Sequence, residues 1–275
     1  LHDALPISSA EELVETLRDP NGWWRDQAQQ LLVQRHHTEV ASQLHEMARS
    51  AGGELARLHA LWTLEGLGEL TPETVRDALD DQSPQVRAAA VRVSEPWLQE
   101  GNQELLAAVT KLTGDSSPDV RLQLTATLGE VPAPKADDAL LTLMTDHSDQ
   151  PYLAEAAISG IGGREVAFLE KLIQSGGWQE PSEGYGDALQ RLATTVVNSD
   201  DHEQIDAMLA MITDEADRPQ SQRMAVLEGL DEEVPNARPE LHRYLRLEGE
   251  LAHLSRLTES SDPKISQKAN DLADN

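Results

Sequence analysis

The chain contains no cysteine. That excludes disulfides, thiolate metal centres, cysteine nucleophiles and covalently attached c-type haem within it. Basic residues are scarce: Lys and Arg number 22 against 49 Asp and Glu, for a formal charge of −27. A surface this acidic repels phosphate at long range, which argues against nucleic acid as a direct partner. Aromatics make up 3% of the 275 residues and phenylalanine occurs once, at Phe168, too few for a base-stacking platform. No apolar run approaches the ~18 residues of a membrane span, and no charged-then-apolar leader opens the chain. Sustained alternating Val/Ile/Thr runs are missing too, so a sheet of three or more strands is not expected.

What the sequence has instead is a period. The turn Asp81-Gln82-Ser83-Pro84-Gln85-Val86-Arg87 returns as Asp115-Ser116-Ser117-Pro118-Asp119-Val120-Arg121, with Pro84 and Pro118 34 residues apart and Pro151 33 further on. Asp19-Pro20, Gln150-Pro151, Arg218-Pro219 and Asp262-Pro263 open other units, and degenerate ones centre on Leu55–Leu67 and Tyr185–Val197. Each unit reads as two helices joined by a polar turn. Proline suits the start of the second helix, because it fixes φ and lacks an N–H that the first turn leaves unpaired. Leu58, Leu61, Trp62 and Leu64 fall on one helical face, and Ser9-Ala10-Glu11-Glu12 is a capping-box signature.

A single such pair cannot bury its apolar face, whereas stacked pairs can. The expected fold is all-α: an α-solenoid of HEAT-like antiparallel helix pairs, about seven to eight units forming one domain over residues 9–275. Leu1–Ser8 resembles a translated sequencing-adapter scar and is set aside as a non-native leader; the missing initial Met points to a piece of a longer reading frame.

Charges repeat with the turns. Asp19–Arg25, Asp81–Arg87, Asp115–Arg121 and Asp217–Arg223 are each six residues apart. The carboxylate can accept N–H groups at the helix start while the arginine bridges it or the next unit. This predicts a structural ladder fixing unit-to-unit register. The fifth unit departs, with Asp149 opposite Glu155. If the pairs are partly exposed, Arg87→Ala should cost about 1 kcal/mol or less. Leu124→Ala in the seam should cost roughly 2–5 kcal/mol.

No constellation suggests chemistry. His36-His37 and His45 lack further zinc ligands at a workable spacing. The pairs Asp80-Asp81, Asp137-Asp138, Asp200-Asp201 and Glu232-Glu233 are adjacent turn or helix-start charges, not a general acid and base in different environments. Asp146–Asp149 lacks the glycine and terminal glutamate of an EF-hand loop, and Gly160-Ile161-Gly162-Gly163 follows a helix, not a strand. Catalytic, cofactor-binding and metal-binding residues are therefore assigned to none. Trp24, in the pair Trp23-Trp24, is a candidate partner contact. So are Trp178 and Tyr185, in the long loop Ser175–Gly186, because long loops in repeat arrays often lie on a binding face.

Two stretches carry a more specific resemblance: Asn21-Gly22-Trp23-Trp24-Arg25-Asp26-Gln27-Ala28-Gln29-Gln30-Leu31-Leu32, and Ala56-Arg57-Leu58-His59-Ala60-Leu61-Trp62-Thr63-Leu64-Glu65-Gly66-Leu67-Gly68. Both resemble the HEAT segment of planctomycete and verrucomicrobial envelope proteins described as haem-binding Cys-x-x-Cys-His or membrane-bound dehydrogenase proteins. In that family the array lies between a sugar-dehydrogenase-like propeller and a cytochrome c domain. The resemblance therefore implies a non-catalytic scaffold in the periplasm or cell envelope, with haem c and a dehydrogenase cofactor confined to flanking domains. It covers mainly Leu13–Leu128 and transfers no catalytic or haem-ligating residue to this chain. The competing expectation is a free-standing, cytoplasmic HEAT-like adaptor, for instance of bilin-lyase type, binding a protein on its concave face. Both readings expect a protein or adjacent domain as partner, with neither nucleic acid nor membrane insertion.

Overall fold

The computed structural model describes residues 8–50, 52–174, 183–199, 201–213, 218–231 and 252–274. Residues 1–7 of the expected leader, Trp178 and Asp217 lie outside them, as does loop 175–186 up to residue 182. Among the described residues, the regular structure is helical throughout, with no strand. They group into two compact units divided between Ala139 and Leu140.

The first unit stacks four helix pairs. These are α1 (Ala10–Thr16) with α2 (Gly22–Gln34), α3 (Ala41–Ser50) with α4 (Glu54–Leu67), α5 (Pro72–Leu79) with α6 (Pro84–Val93), and α8 (Gln103–Val109) with α9 (Pro118–Gly129); the short α7 (Glu95–Gln99) intervenes before the fourth. Sequence chemistry sets the boundaries. Ser9 and Glu12 form the reciprocal capping box, Pro72, Pro84 and Pro118 occupy the first turn of α5, α6 and α9, and Gly68 closes α4 at φ 72°. Second helices pack in series, α2 on α4 on α6 on α9, while α3, α5 and α8 form the parallel row of first helices.

The core runs along the seam between the rows, with Leu44, Leu61, Leu64, Val75, Val91, Leu105, Val120 and Leu124 fully buried. Because a second helix touches its own first helix and two flanking second helices, its buried positions spread round much of its circumference. In α9 even Thr125 and Thr127 are enclosed, and Thr125 satisfies its hydroxyl by donating to the Arg121 carbonyl at 2.8 Å.

The second unit continues the plan. Its pairs are α10 (Asp137–Asp146, inside which the division falls) with α11 (Leu153–Ser159), α12 (Glu165–Gln174) with α13 (Glu183–Asn198), α14 (His202–Thr213) with α15 (Gln220–Leu230), and α16 (Ala252–Thr258) with α17 (Pro263–Asp274). Helices α11, α13, α15 and α17 pack in series, as do α12, α14 and α16. Gly229 lets α15 approach α13 closely: a Cβ there would lie 2.5 Å from the Gln190 carbonyl oxygen and 2.6 Å from the Ala193 Cβ. At that approach the Thr194 hydroxyl donates to the Gly229 carbonyl at 3.0 Å. The fold is thus an all-α solenoid built from HEAT-like pairs, eight of them among the described residues.

Candidate functional site

The ladder residues sit at a fixed register. Taking each second helix from its N-cap, the aspartate lies two residues before the cap and the arginine four after it, as with Asp81, Ser83 and Arg87, and Asp115, Ser117 and Arg121. The carboxylate accepts the N–H of the N-cap residue: Ser83 to Asp81 at 2.7 Å, Ser117 to Asp115 at 2.8 Å, Asn21 to Asp19 at 2.8 Å. The arginine's Nη1 donates to the backbone carbonyl of its own unit's aspartate, Arg25 to Asp19 at 2.7 Å, Arg87 to Asp81 at 2.8 Å, and Arg121 to Asp115 likewise. Its remaining fork reaches forward. Arg87 Nε and Nη2 grip the two Asp115 oxygens at 2.7 and 2.8 Å, so the ion pair joins consecutive units.

The same register identifies a rung that the six-residue spacing misses. Arg57, four residues after the Gly53 N-cap of α4, grips Asp81 at 2.6 and 2.8 Å. These pairs are well enclosed: side-chain exposures are 14% and 5% for Arg87 and Asp115, 13% and 9% for Arg57 and Asp81. The pairs are part-buried, so an effect larger than about 1 kcal/mol becomes the physical expectation for losing one partner. Burial pushes both carboxyls up, yet the opposing guanidinium and the N-cap amide outweigh it and hold Asp81 and Asp115 below the usual carboxylate range. Arg57 and Arg87 are raised in turn by their hydrogen-bonded carboxylates, against burial. In the second unit Arg223, 3% exposed, donates from Nε to the Ile212 carbonyl at 2.8 Å and from Nη2 to the Ser260 hydroxyl at 3.3 Å. Asp149 there accepts the Gly184 amide at 3.3 Å, and Arg191 lies 3.4 Å from Glu155.

Two candidate contacts change role. Tyr185 is not a loop-borne contact: it is 4% exposed on α13, and its phenol donates to the Leu172 carbonyl at 2.7 Å. Its glycine-flanked sequence suggested a loop, but the aromatic ring is wanted in the core between α12 and α13. Trp24 packs half-buried against the core of the first two pairs, whereas Trp23, set edge-on to it at 4.5 Å, is 55% exposed. The outward-facing member of the pair is thus Trp23.

One surface feature was not singled out by the sequence. A groove of about 310 Å³ crosses α4, α6 and α9. Leu58 and Trp62 form one wall, Ala88 and Ala89 the low floor, and Arg92, Asp119 and Gln123 the polar side. Leu58 and Trp62 thus separate from Leu61 and Leu64, which are fully buried. Behind the polar side a hydrogen-bonded chain holds the rotamers: Gln123 Nε2 donates to the Thr127 hydroxyl at 3.1 Å, which donates to Glu95 at 2.8 Å, and Arg92 pairs with the other Glu95 oxygen. Such a trough can take an extended segment, with apolar contact on one side and hydrogen bonds on the other. Among the described residues no cluster of His, Asp or Glu is arranged to hold a metal ion, and no helix is long and apolar enough to cross a membrane.

Comparison with known proteins agrees with the repeat. A family model described as HEAT repeats matches residues 72–162, which span the third and fourth pairs of the first unit and the start of the second. No curated protein matches. Among solved structures, the chain is similar to a designed armadillo repeat protein, YIII(Dq)4CqI, at 17% identity and a TM-score of 0.33, covering 97% of this chain and 99% of that one. A second design, YIII(Dq.V1)4CPAF in complex with peptide (KR)4, gives 17% identity, a TM-score of 0.31 and the same coverage. Residues 72–162 are a HEAT-like repeat segment.

Proposed function

We propose that this chain is a non-catalytic scaffold that docks a protein segment in the groove over α4, α6 and α9. The groove carries this reading: it pairs a rigid aromatic and aliphatic wall with preset hydrogen-bonding groups, the anatomy of a docking site and not of a reaction centre. The charge of −27 favours a cationic partner, whose approach it accelerates. A Lys/Arg-rich peptide carrying one aliphatic residue is the test ligand. Binding should weaken about tenfold or more for Trp62→Ala, as for a central aromatic anchor, and fall with added salt. Binding unaffected by Trp62→Ala would refute the groove.

In the parent protein we read the array as the linker between a sugar-dehydrogenase-like propeller and a cytochrome c domain of an envelope oxidoreductase. The support is the resemblance of residues 21–32 and 56–68, the stretches forming α2 and α4. A stack of nearest-neighbour units suits that task, because its curvature and length are set unit by unit. The extended gene decides. A propeller-like region upstream and Cys-x-x-Cys-His downstream are both required; a complete reading frame ending near Asn275 with neither refutes the linker role and favours a free-standing cytoplasmic adaptor.

A further inference from the structure

The groove over α4, α6 and α9 is built by register. Counted from the N-caps Gly53, Ser83 and Ser117, Leu58 and Ala88 are both five residues on, Trp62 and Arg92 both nine, and Gln85 and Asp119 both two. Equivalent positions of consecutive second helices therefore stand side by side, in rows that cross the stack. Helix α2 packs on α4 in the same series, so the rows continue one helix beyond the groove. A contact across that packing shows the alignment: His59, six residues after its cap, brings Nε2 to 4.0 Å from the carboxylate of Asp26, five residues after the Asn21 cap of α2.

The continued rows carry an unusual surface. Among the described residues of the first unit, the exposed large hydrophobic side chains are Trp23 and Leu55, and both occupy the row two residues after the cap. The Trp23 ring is braced edge-on at 4.5 Å by Trp24, which packs on the core. Asp26 lies three residues after Trp23 on the same face of α2, with its side chain 70% exposed. His59 is pushed below its ordinary value by burial first and the Arg25 charge second, so at neutral pH it is uncharged and does not neutralise Asp26. At the far end of the rows Asp119, on α9, is exposed as well, and between them Arg92 is paired with Glu95. Two carboxylates thus bracket an apolar middle. They stand three helix spacings apart, roughly 24–30 Å.

Resting on the groove as the docking site, we propose that its occupant is an extended segment with two arginines about eight residues apart and an apolar residue midway. Trp23, Asp26 and Leu55 form the subsite for one of those arginines. Eight residues of extended chain span about 26 Å, which matches the separation of the carboxylates. Negative charge at both ends selects cations. At α2 the combination of an indole face and a carboxylate selects arginine over lysine, because the planar guanidinium stacks on Trp23 while its fork meets Asp26, and Leu55 packs on the stem. Asp119 takes the second arginine by charge, and the apolar residue falls between Leu58, Trp62 and Ala88.

The test titrates the full chain against a labelled, end-capped nonapeptide, Arg-Ser-Ser-Ser-Leu-Ser-Ser-Ser-Arg, by fluorescence anisotropy. Trp23→Ala, Asp26→Asn and Asp119→Asn should each weaken binding about threefold or more; all three sites are exposed, so far-ultraviolet circular dichroism should be unchanged. Replacing both arginines of the peptide by lysine should weaken binding about threefold to the unsubstituted chain and by less to Trp23→Ala, where the stacking is already lost. A peptide of equal charge with its arginines only four residues apart should also bind about threefold less tightly or worse. Trp62→Ala separates this proposal from the reading it rests on. If Trp62→Ala weakens binding whereas Trp23→Ala and Asp26→Asn do not, the subsite is refuted and the groove stands; if none of the three does, the groove falls too. Equal binding of the lysine or the close-spaced peptide would overturn the proposed occupant. A chain that dimerises in sedimentation velocity through a contact abolished by Trp23→Ala would give the subsite to a second copy of this chain and overturn it as well.

Discussion

Breaking one rung gives the sharpest check on the physical account. Consider Arg87→Met, Asp115→Asn and the double variant, forming a cycle across the rung between the third and fourth pairs. The intact pair makes two parallel charge-assisted hydrogen bonds of 2.7 and 2.8 Å with side chains 14% and 5% exposed. At an effective dielectric of about 20, opposite charges about 4 Å apart attract by about 4 kcal/mol. Desolvation of both groups takes back a large part, leaving a coupling of about 2 kcal/mol. The single Arg87→Met variant should cost about 3 kcal/mol, the low end for a stranded buried charge, because Asp115 keeps the Ser117 amide and the field of Arg121. Arg18 and Glu15, 3.2 Å apart but 43% and 75% exposed, form the control cycle and should couple by about 0.5 kcal/mol or less. Urea unfolding followed by far-ultraviolet circular dichroism measures both. The sign with pH is fixed as well. Asp115 is depressed in the folded chain, so its contribution is complete above the unfolded value of about 3.9 and is lost as the pH falls through the lower folded value. A coupling at neutral pH no larger than that of the surface pair, or one that survives in strong acid, would refute the reasoning.

Three further outcomes are expected. Gly229→Ala forces a Cβ to within 2.6 Å of atoms on α13 and should cost about 1–3 kcal/mol in the same melts; a neutral result would mean that α15 can slide. His59 is pushed down by burial first and by the Arg25 charge second, against the pull of Asp26, so its stabilising contribution is lost as the pH falls below about 6.5. His59→Gln should flatten the stability profile between about pH 7 and 5, and an unchanged slope would count against that burial. Tyr185→Phe removes the bond to the Leu172 carbonyl and should cost about 1 kcal/mol while leaving peptide binding unchanged; a binding defect would return Tyr185 to the surface.

The starts of α2, α6 and α9 were legible because their signal is chemical and local: a cap residue, a proline, a first-turn charge. Pro84 and Pro118 open α6 and α9, and the degenerate stretches 55–67 and 185–197 fall within α4 and α13. The direction of the rungs was less legible. Six-residue spacing suggests a pair within one turn, but an arginine at the fourth helical position lies beside its own aspartate's carbonyl, and its fork continues to the next unit. Arg57 was missed because its own aspartate partner position holds Ala51, and only counting from the Gly53 cap reveals it. The groove was hidden for a different reason. On α4, Leu58 and Trp62 read as core by periodicity alone, and nothing in one helix shows that Leu61 and Leu64 already fill the seam. Helix α7 was not anticipated; Pro96 sits in its first turn, where the missing N–H costs nothing.

The row of rungs is uneven: Arg25 holds the Asp19 carbonyl, but its buried Nε has no hydrogen-bond partner among the described residues. Each carboxylate serves two masters, the start of its own helix and the arginine of the unit before, so replacing one by alanine removes a helix-start acceptor and strands one guanidinium. The loss stops there, because repeats contact only their neighbours. Between α2 and α4 the apolar seam persists without the rung: Ala28, Leu32, Ala60 and Leu64 are fully buried, with Leu31 and Leu67 packed against them. At about 25 cal/mol per Å² of apolar surface, a seam of that kind outweighs a single ion pair whose net worth is a few kcal/mol. The stack can therefore carry a missing carboxylate without unfolding.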